Sequence, residues 1–260
     1  MKAHAKVNLA LVVGPRRPDG MHEVATVLQR IDLADEIELE TAERLTVEGF
    51  DEDTLVRGAL TALAGEAGVE PGWRAVIDKR LPVAAGLGGG SSDAAAALLL
   101  GNQTLAEPLS PERLHAIASR LGADVPFFLR EGPQLATGVG VDLDPVDLPQ
   151  DFVVVLVLPL GASKRSTAAV YDAFSGEAGY EDRRAALLGA LEAQDLTGLP
   201  PNDLASSPLA DELRSAGAFR ADVSGAGPIV YGLFADRERA AEARDEIGGH
   251  GPTWLTEPAW

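Results

Sequence analysis

The chain contains no cysteine, so disulfides, thiolate nucleophiles and thiolate metal ligands are excluded, and any catalysis must use oxygen and nitrogen groups. Aromatic residues make up only 5%, which leaves leucine, valine and alanine to fill the interior. Positive charge is scarce: 22 lysines and arginines stand against 40 acidic residues, a net charge of −18. A surface of that sign speaks against a nucleic-acid partner, which needs basic stripes. The lysines are Lys2, Lys6, Lys79 and Lys164. No run approaches the roughly 18 apolar residues of a membrane span, and no apolar signal core follows Met1 to Lys6, so a cytoplasmic protein with no membrane partner is expected. Its 260 residues suffice for one large domain or two modest ones. A phosphorylated ligand on so acidic a protein must be held locally, by backbone amides, a few placed cations and a divalent metal.

What is present is dominated by Leu81 to Asp93. Four glycines in five residues (Gly86, Gly88, Gly89, Gly90) precede Ser91, Ser92 and Asp93, and a run of alanine and leucine follows to Leu100. This predicts a loop ending as a helix N-terminus, where unpaired N–H groups and the dipole favour an anion. Ser91 and Ser92 are candidates to add hydroxyl contacts, to touch a magnesium ion or to cap the helix. The Walker A pattern is excluded because its closing Lys-Ser/Thr pair is absent, and a dinucleotide fingerprint fits poorly with Ser91 at the third glycine position. A plain glycine-rich turn before a helix stands as the alternative.

Along the chain, Ala3 to Val13 reads as an apolar strand with Lys6 and Asn8 on one face, where a lone lysine is ordinarily a rim charge. Arg16 to His22 is a turn punctuated by Pro18, Asp19 and Gly20. Glu36 to Glu48 predicts two strands paired around Thr41 to Arg44, Leu55 to Ala67 a helix stopping at Gly68, and Trp73 to Lys79 a strand delivering the glycine loop. Lys79 and Arg80 read as a solvated strand end, with phosphate attraction as the alternative. Ser110 caps a predicted helix with proline at its first position, ending at Gly122. Asp124 interrupts the apolar stretch from Leu121 to Leu129; it is paired, a turn cap or a used carboxylate. Phe152 to Leu158 is a continuous apolar strand and hence central, Arg183 to Leu196 a helix, Val223 to Phe234 a glycine turn feeding a strand, and Glu238 to Ile247 a closing helix. The domain boundary falls in the polar connection Asp147 to Gln150, dividing 1–149 from 150–260.

Pro82-x-x-x-Gly86-Leu-x-x-x-Ser91-Ser92 resembles the phosphate-binding motif of the GHMP kinases. Ala-Lys6-Val-Asn8-Leu, Arg16 to His22 with Thr26, Gln29 and Leu33-Ala-Asp35, and Gly122 to Phe128 resemble one branch of that superfamily, which phosphorylates a cytidylyl-linked methylerythritol. Gly132 to Asp144 resembles the glycine-punctuated strand that follows in the same kinases, and Ser166 to Tyr171, Asn202-Asp203-Leu204 and the turn after Val223 are similar to their later segments. His4, Met21, Ala205 and Pro228 stand where that branch has other residues; Met21 removes an aromatic face.

The resemblance implies an α+β, mixed α/β fold of two domains, an N-terminal α/β domain of the ribosomal-protein-S5 type and a ferredoxin-like C-terminal domain, with the active site between them. It implies transfer of the γ-phosphoryl of ATP, with Mg²⁺, to the 2-hydroxyl of the erythritol in non-mevalonate isoprenoid synthesis. Asp124 is then the general base and Lys6 orients it. Pro82, Val83, Ala84, Ala85, Gly86, Leu87, Gly88, Gly89, Gly90, Ser91 and Ser92 cradle ATP, and Asn8, His22, Thr167 and Tyr171 bind substrate. By charge and proximity alone, Lys164 and Arg165 are candidate phosphate cations. No dedicated metal cage is expected, and the chain is a monomer or a homodimer. Another GHMP kinase would leave Arg16 to His22 unexplained; a nucleotide-binding regulator would leave Lys6 and Asp124 unexplained.

Overall fold

Strand β1 (Lys2–Arg16) and the 20-residue β2 (His22–Thr41) are joined by the turn at Pro18 to Gly20 and pair with each other. There follow β3 (Thr46–Glu48), α1 (Leu55–Ala67), β4 (Trp73–Asp78), α2 (Gly89–Gln103), α3 (Pro111–Leu121), β5 (Gln134–Thr137), β6 (Asp142–Pro145) and β7 (Val153–Val157). The chain closes with α4 (Thr167–Asp172), α5 (Tyr180–Glu192), α6 (Pro208–Ser215), β8 (Arg220–Val223), β9 (Val230–Phe234), α7 (Arg237–Ile247) and β10 (Thr253–Thr256). The computed structural model describes residues 1–162, 166–176 and 178–259, so Lys164 and Arg165 lie outside the described residues. The fold is α+β with mixed sheets, as expected.

By contact the residues fall into two units that interleave along the sequence. The first holds Met1–Ala5, Leu33–Val83 and Gly88–Glu131, and the second Lys6–Asp32, Ala84–Leu87 and the chain from Gly132 onward. In the first unit β4 runs between two partners, antiparallel to β2 (Glu36 opposite Asp78) and parallel to β3 (Thr46 opposite Arg74). The expected pairing of the strands around Thr41 to Arg44 is therefore corrected. The chain turns there, but β4 inserts between them, burying Trp73, Ala75 and Ile77 on one face. Helix α1 buries Val56, Leu60 and Leu63 and ends at left-handed Gly68, as its pattern predicts. It approaches α2 so closely that a Cβ on Gly101 would lie 2.7 Å from Leu63 Cδ2.

In the second unit β5 pairs with the first half of β2. The glycine-punctuated segment after Gly132 is a hairpin and not one strand, because Gly138 and Gly140 take positive φ between β5 and β6. The remaining sheet has the order β10-β7-β9-β8, all pairs antiparallel. With α6 and α7 as crossovers this is the β-α-β-β-α-β arrangement of ferredoxin-like domains. β7 is buried throughout and has a partner on each edge, as its continuous apolar run predicts. Leu209, Leu213, Ala240, Ala243 and Ile247 from the two helices pack on Val153, Val155 and Phe234 of the sheet. The expected closing helix is corrected in one respect: β10 follows α7 and completes the sheet. Among the described residues no helix is long and apolar enough to cross a membrane.

Candidate active site

In the second unit, the period-two pattern of β1 puts Lys6 and Asn8 on one face, and Lys6 Nζ donates to Asn8 Oδ1 at 2.6 Å. Both are buried, at 3% and 5% exposure, which corrects the rim reading of Lys6. Asn8 Nδ2 donates to Thr26 Oγ1 (2.9 Å), which itself donates to the carbonyl of Ala10 (2.7 Å), so the amide cannot rotate freely. The Asn8 N–H donates to Ser224 Oγ at 3.1 Å.

Ser224 opens the turn between β8 and β9. Gly225 and Gly227 have φ of +58° and +74° there, and a Cβ on Gly225 would stand 3.1 Å from Asn8 Oδ1 and 3.7 Å from Lys6 Nζ. The same turn and β1 hold the loop segment 84–87: Ile229 N–H donates to Ala85 O (3.1 Å), Ser224 Oγ to Gly86 O (3.2 Å), and Lys6 N–H of β1 to Leu87 O (2.9 Å). Gly86, at φ +91°, has no space for a side chain, since a Cβ would lie 2.7 Å from Ser224 O. Asn202 braces the turn by donating from Nδ2 to Val223 O (2.8 Å) and Gly225 O (2.7 Å). Sequence reasoning missed Ser224, whose role depends on a partner 216 positions away.

Near the start of β2, His22 is buried with Nδ1 2.9 Å from Gly14 O. Its ring centroid lies 6.0 Å from Tyr171 and 5.9 Å from Phe174. Two predicted substrate residues are thus brought together, and Phe174 joins them without having been predicted; the aromatic spacing Tyr171-x-x-Phe174 was the available signal. Both rings pack on Leu11, Val13 and Val24. Thr167, at the start of α4, is exposed, as is Met21 at 52%.

In the first unit, α2 begins at Gly89 with Gly88 as its left-handed N-cap at φ +71°. Ser91 and Ser92 therefore lie in the first turn and do not cap it, a correction that follows from glycine's tolerance of this conformation. The N–H groups of Gly89, Gly90 and Ser91 have no acceptor within the helix; the ladder starts with Ser92 N–H to Gly88 O at 2.9 Å. Lys79 is not a solvated strand end: its ammonium is 2.6 Å from Asp35 Oδ2 and 2.6 Å from Asp93 Oδ2. Burial pulls that ammonium's pKa down, but the two carboxylates outweigh it and hold it above the ordinary lysine value. Asp93 is pushed up to about 7, first by burial, and by Asp35, against the lowering effect of Lys79. Asp124 is half-buried in the turn before a short 3₁₀ helix, Pro126–Leu129, anchored by buried Phe127 and Phe128. The turn is closed by Val125 N–H to Gly122 O at 3.2 Å. Among the described residues no three His, Cys, Asp or Glu side chains are placed to hold a metal. Ser91 and Ser92 offer hard oxygens of the kind Mg²⁺ accepts alongside phosphate.

Residues 54–132 match the model of the GHMP kinase N-terminal domain and residues 185–253 that of the C-terminal domain. A 4-diphosphocytidyl-2-C-methyl-D-erythritol kinase of Synechococcus sp. (strain JA-3-3Ab) is 38% identical, across 98% of this chain and 92% of its own. The chain belongs to the 4-diphosphocytidyl-2-C-methyl-D-erythritol kinase family of GHMP kinases. A second member, from Geobacter metallireducens, is 39% identical over 95% of this chain and 93% of its own. A crystal structure of a 4-(cytidine 5'-diphospho)-2C-methyl-D-erythritol kinase superposes with a TM-score of 0.83 at 31% identity, covering 100% of this chain and 99% of the other. A homoserine kinase from Cytophaga hutchinsonii shares the fold, with a TM-score of 0.76 at 17% identity over 99% of this chain and 96% of its own.

Proposed function

We propose that this kinase transfers the γ-phosphoryl group of ATP to the 2-hydroxyl of 4-diphosphocytidyl-2-C-methyl-D-erythritol, a step of non-mevalonate isoprenoid synthesis. The observation that carries this reading is the match, over nearly all of both chains, to relatives of that name. In the transfer the hydroxyl oxygen bonds to the γ-phosphorus, the bridging bond to the β-phosphate breaks, and ADP leaves; positioning and charge neutralisation supply most of the acceleration. Asp124 takes the hydroxyl proton as general base, and Lys6 orients it. Asn8, held by Thr26 and Lys6, positions the erythritol.

The loop from Pro82 to Ser92 cradles the nucleotide phosphates, with the first-turn N–H groups of α2 as donors. The carbonyls of Ala85, Gly86 and Leu87 are engaged, which supports a loop held in one shape. A Mg²⁺ ion arriving with ATP would meet the hydroxyls of Ser91 and Ser92 and neutralise phosphate charge. His22 and Tyr171, joined by Phe174, receive the cytosine, and the closeness of the three rings supports that assignment. Thr167 reaches the erythritol hydroxyls. Residues 1–149 form the N-terminal and 150–260 the C-terminal functional part of a cytoplasmic monomer or homodimer.

The test is ADP release with Mg-ATP and the cytidylyl substrate, run beside homoserine and mevalonate. Turnover with the cytidylyl substrate alone is expected. Turnover with a control alone would move the chain to another GHMP activity, and ATP binding without any turnover would refute a kinase.

A further inference from the structure

The buried trio Asp35, Lys79 and Asp93 is built in a way that a simple structural ion pair does not require. One ammonium, 13% exposed, serves two carboxylates exposed by 0% and 2%, both at 2.6 Å. The cluster therefore sets two acids against one base, and Asp93 Oδ1 is buried with no hydrogen-bond partner. Both features cost stability, and an apolar residue in place of Asp93 would remove them.

Their placement supplies a reason. Asp35 Oδ1 accepts the N–H groups of Arg80 (2.6 Å) and Leu81 (2.7 Å), the two residues that enter the glycine loop. Asp93 lies one turn into α2, where the loop leaves. A Cβ on Gly89, the first residue of that helix, would lie 3.3 Å from Lys79 Nζ and 3.5 Å from Asp35 Oδ2. The ring of Phe50 closes over the ammonium, 5.6 Å from its centroid. One lysine thus ties the entry of the loop to its exit, and residues 82–88 run between the tied ends.

We propose that Lys79, held between Asp35 and Asp93, is a positioning residue for ATP: it sets the spacing of the two ends of the glycine loop and thereby the direction of the first-turn N–H groups of α2. Lys79 acts through the backbone and touches no reacting atom. The inference rests on the reading of the loop as the ATP phosphate cradle, and it adds residues outside the loop that the cradle depends on. Because the cytidylyl substrate is held by other segments, the consequence is selective for nucleotide.

The test compares Mg-ATP dissociation constants by calorimetry, and KM values for both substrates, in the wild type, Lys79→Met and Asp93→Asn at pH 8. Lys79→Met is expected to weaken ATP about tenfold, the size of one misaligned charge-assisted hydrogen bond, with KM for the cytidylyl substrate within about twofold. Asp93→Asn keeps an amide oxygen for Lys79 and should stay within about threefold of wild type. Should Lys79→Met not fold, Asp35→Asn carries the same expectation, because Asp35 uses Oδ1 for the Arg80 and Leu81 N–H groups and Oδ2 for the ammonium, and an amide has an oxygen for only one side. Unchanged ATP affinity in a folded Lys79→Met or Asp35→Asn protein, whatever its melting temperature, or equal rises in both KM values, would overturn the positioning role. Failure of the wild type to bind Mg-ATP would instead overturn the reading of the loop.

Discussion

Replacing Asp93 by asparagine should change how the stability of the protein depends on pH, and the sign follows from the buried trio. The folded carboxyl titrates near 7, driven up first by burial, while in the unfolded chain it titrates near its ordinary 3.8. Between those values the folded state holds a proton that the unfolded state has released. Folding is therefore favoured at the acid end of the window and loses that advantage as pH rises, until above about 7 both states are ionised. Over the whole interval the change is on the order of 4 kcal/mol, a large fraction of the 5–15 kcal/mol typical of a folded domain. Asparagine carries no such proton, keeps an acceptor for Lys79 and leaves one lysine facing one carboxylate. Urea midpoints of wild type and Asp93→Asn at pH 5, 6, 7 and 8 measure the difference, and contributions of groups common to both proteins cancel. The variant should gain on the wild type by roughly 1 M urea between pH 5 and 8, taking a slope of about 3 kcal/mol per molar. A constant gap across that range would refute the argument, because it would mean that Asp93 is charged in both states throughout.

Asp124→Asn should lower turnover by at least about 100-fold while leaving the ATP dissociation constant within about twofold, as expected for removal of a general base; near-normal turnover would exclude that role. Gly225→Ala should reduce both stability and activity. The left-handed φ of +58° costs an alanine about 1 kcal/mol, and its Cβ would press on Asn8 Oδ1 at 3.1 Å. Gly20→Ala, at φ +85° with open space around it, should show the conformational cost in its melting temperature but full activity. Tyr171→Ala and Phe174→Ala should each raise KM for the cytidylyl substrate about tenfold and leave KM for ATP unchanged, the magnitude of losing a base-stacking ring; parallel changes in both KM values would place these rings outside the nucleobase site.

Much of this protein was legible in the linear sequence because the deciding physics was local. Helix α1 between Leu55 and Gly68, α3 with its Ser110 cap, and β7 as a fully covered strand follow from period, capping chemistry and apolar content over a dozen residues. The glycine run and the side-by-side placement of Lys6 and Asn8 are equally local, and spaced motifs sufficed to point to the family. Other features depend on partners that no window contains. β4 enters between β2 and β3, so two strands that follow each other in sequence never pair. Gly88 takes the cap for which Ser91 and Ser92 were candidates, because the left-handed turn at the loop exit favours glycine.

Lys79 looked like an ordinary solvated cation because neither Asp35, 44 positions earlier, nor Asp93, 14 positions later, marks itself in sequence as its partner. Ser224 and Phe174 acquire meaning only once folding brings them to Asn8 and His22. Composition and periodicity determined which segments form and which side chains have chemistry to offer. Tertiary structure decided which of those side chains are buried together, because burial converts an exposed charge or hydroxyl into a group that must find a specific partner.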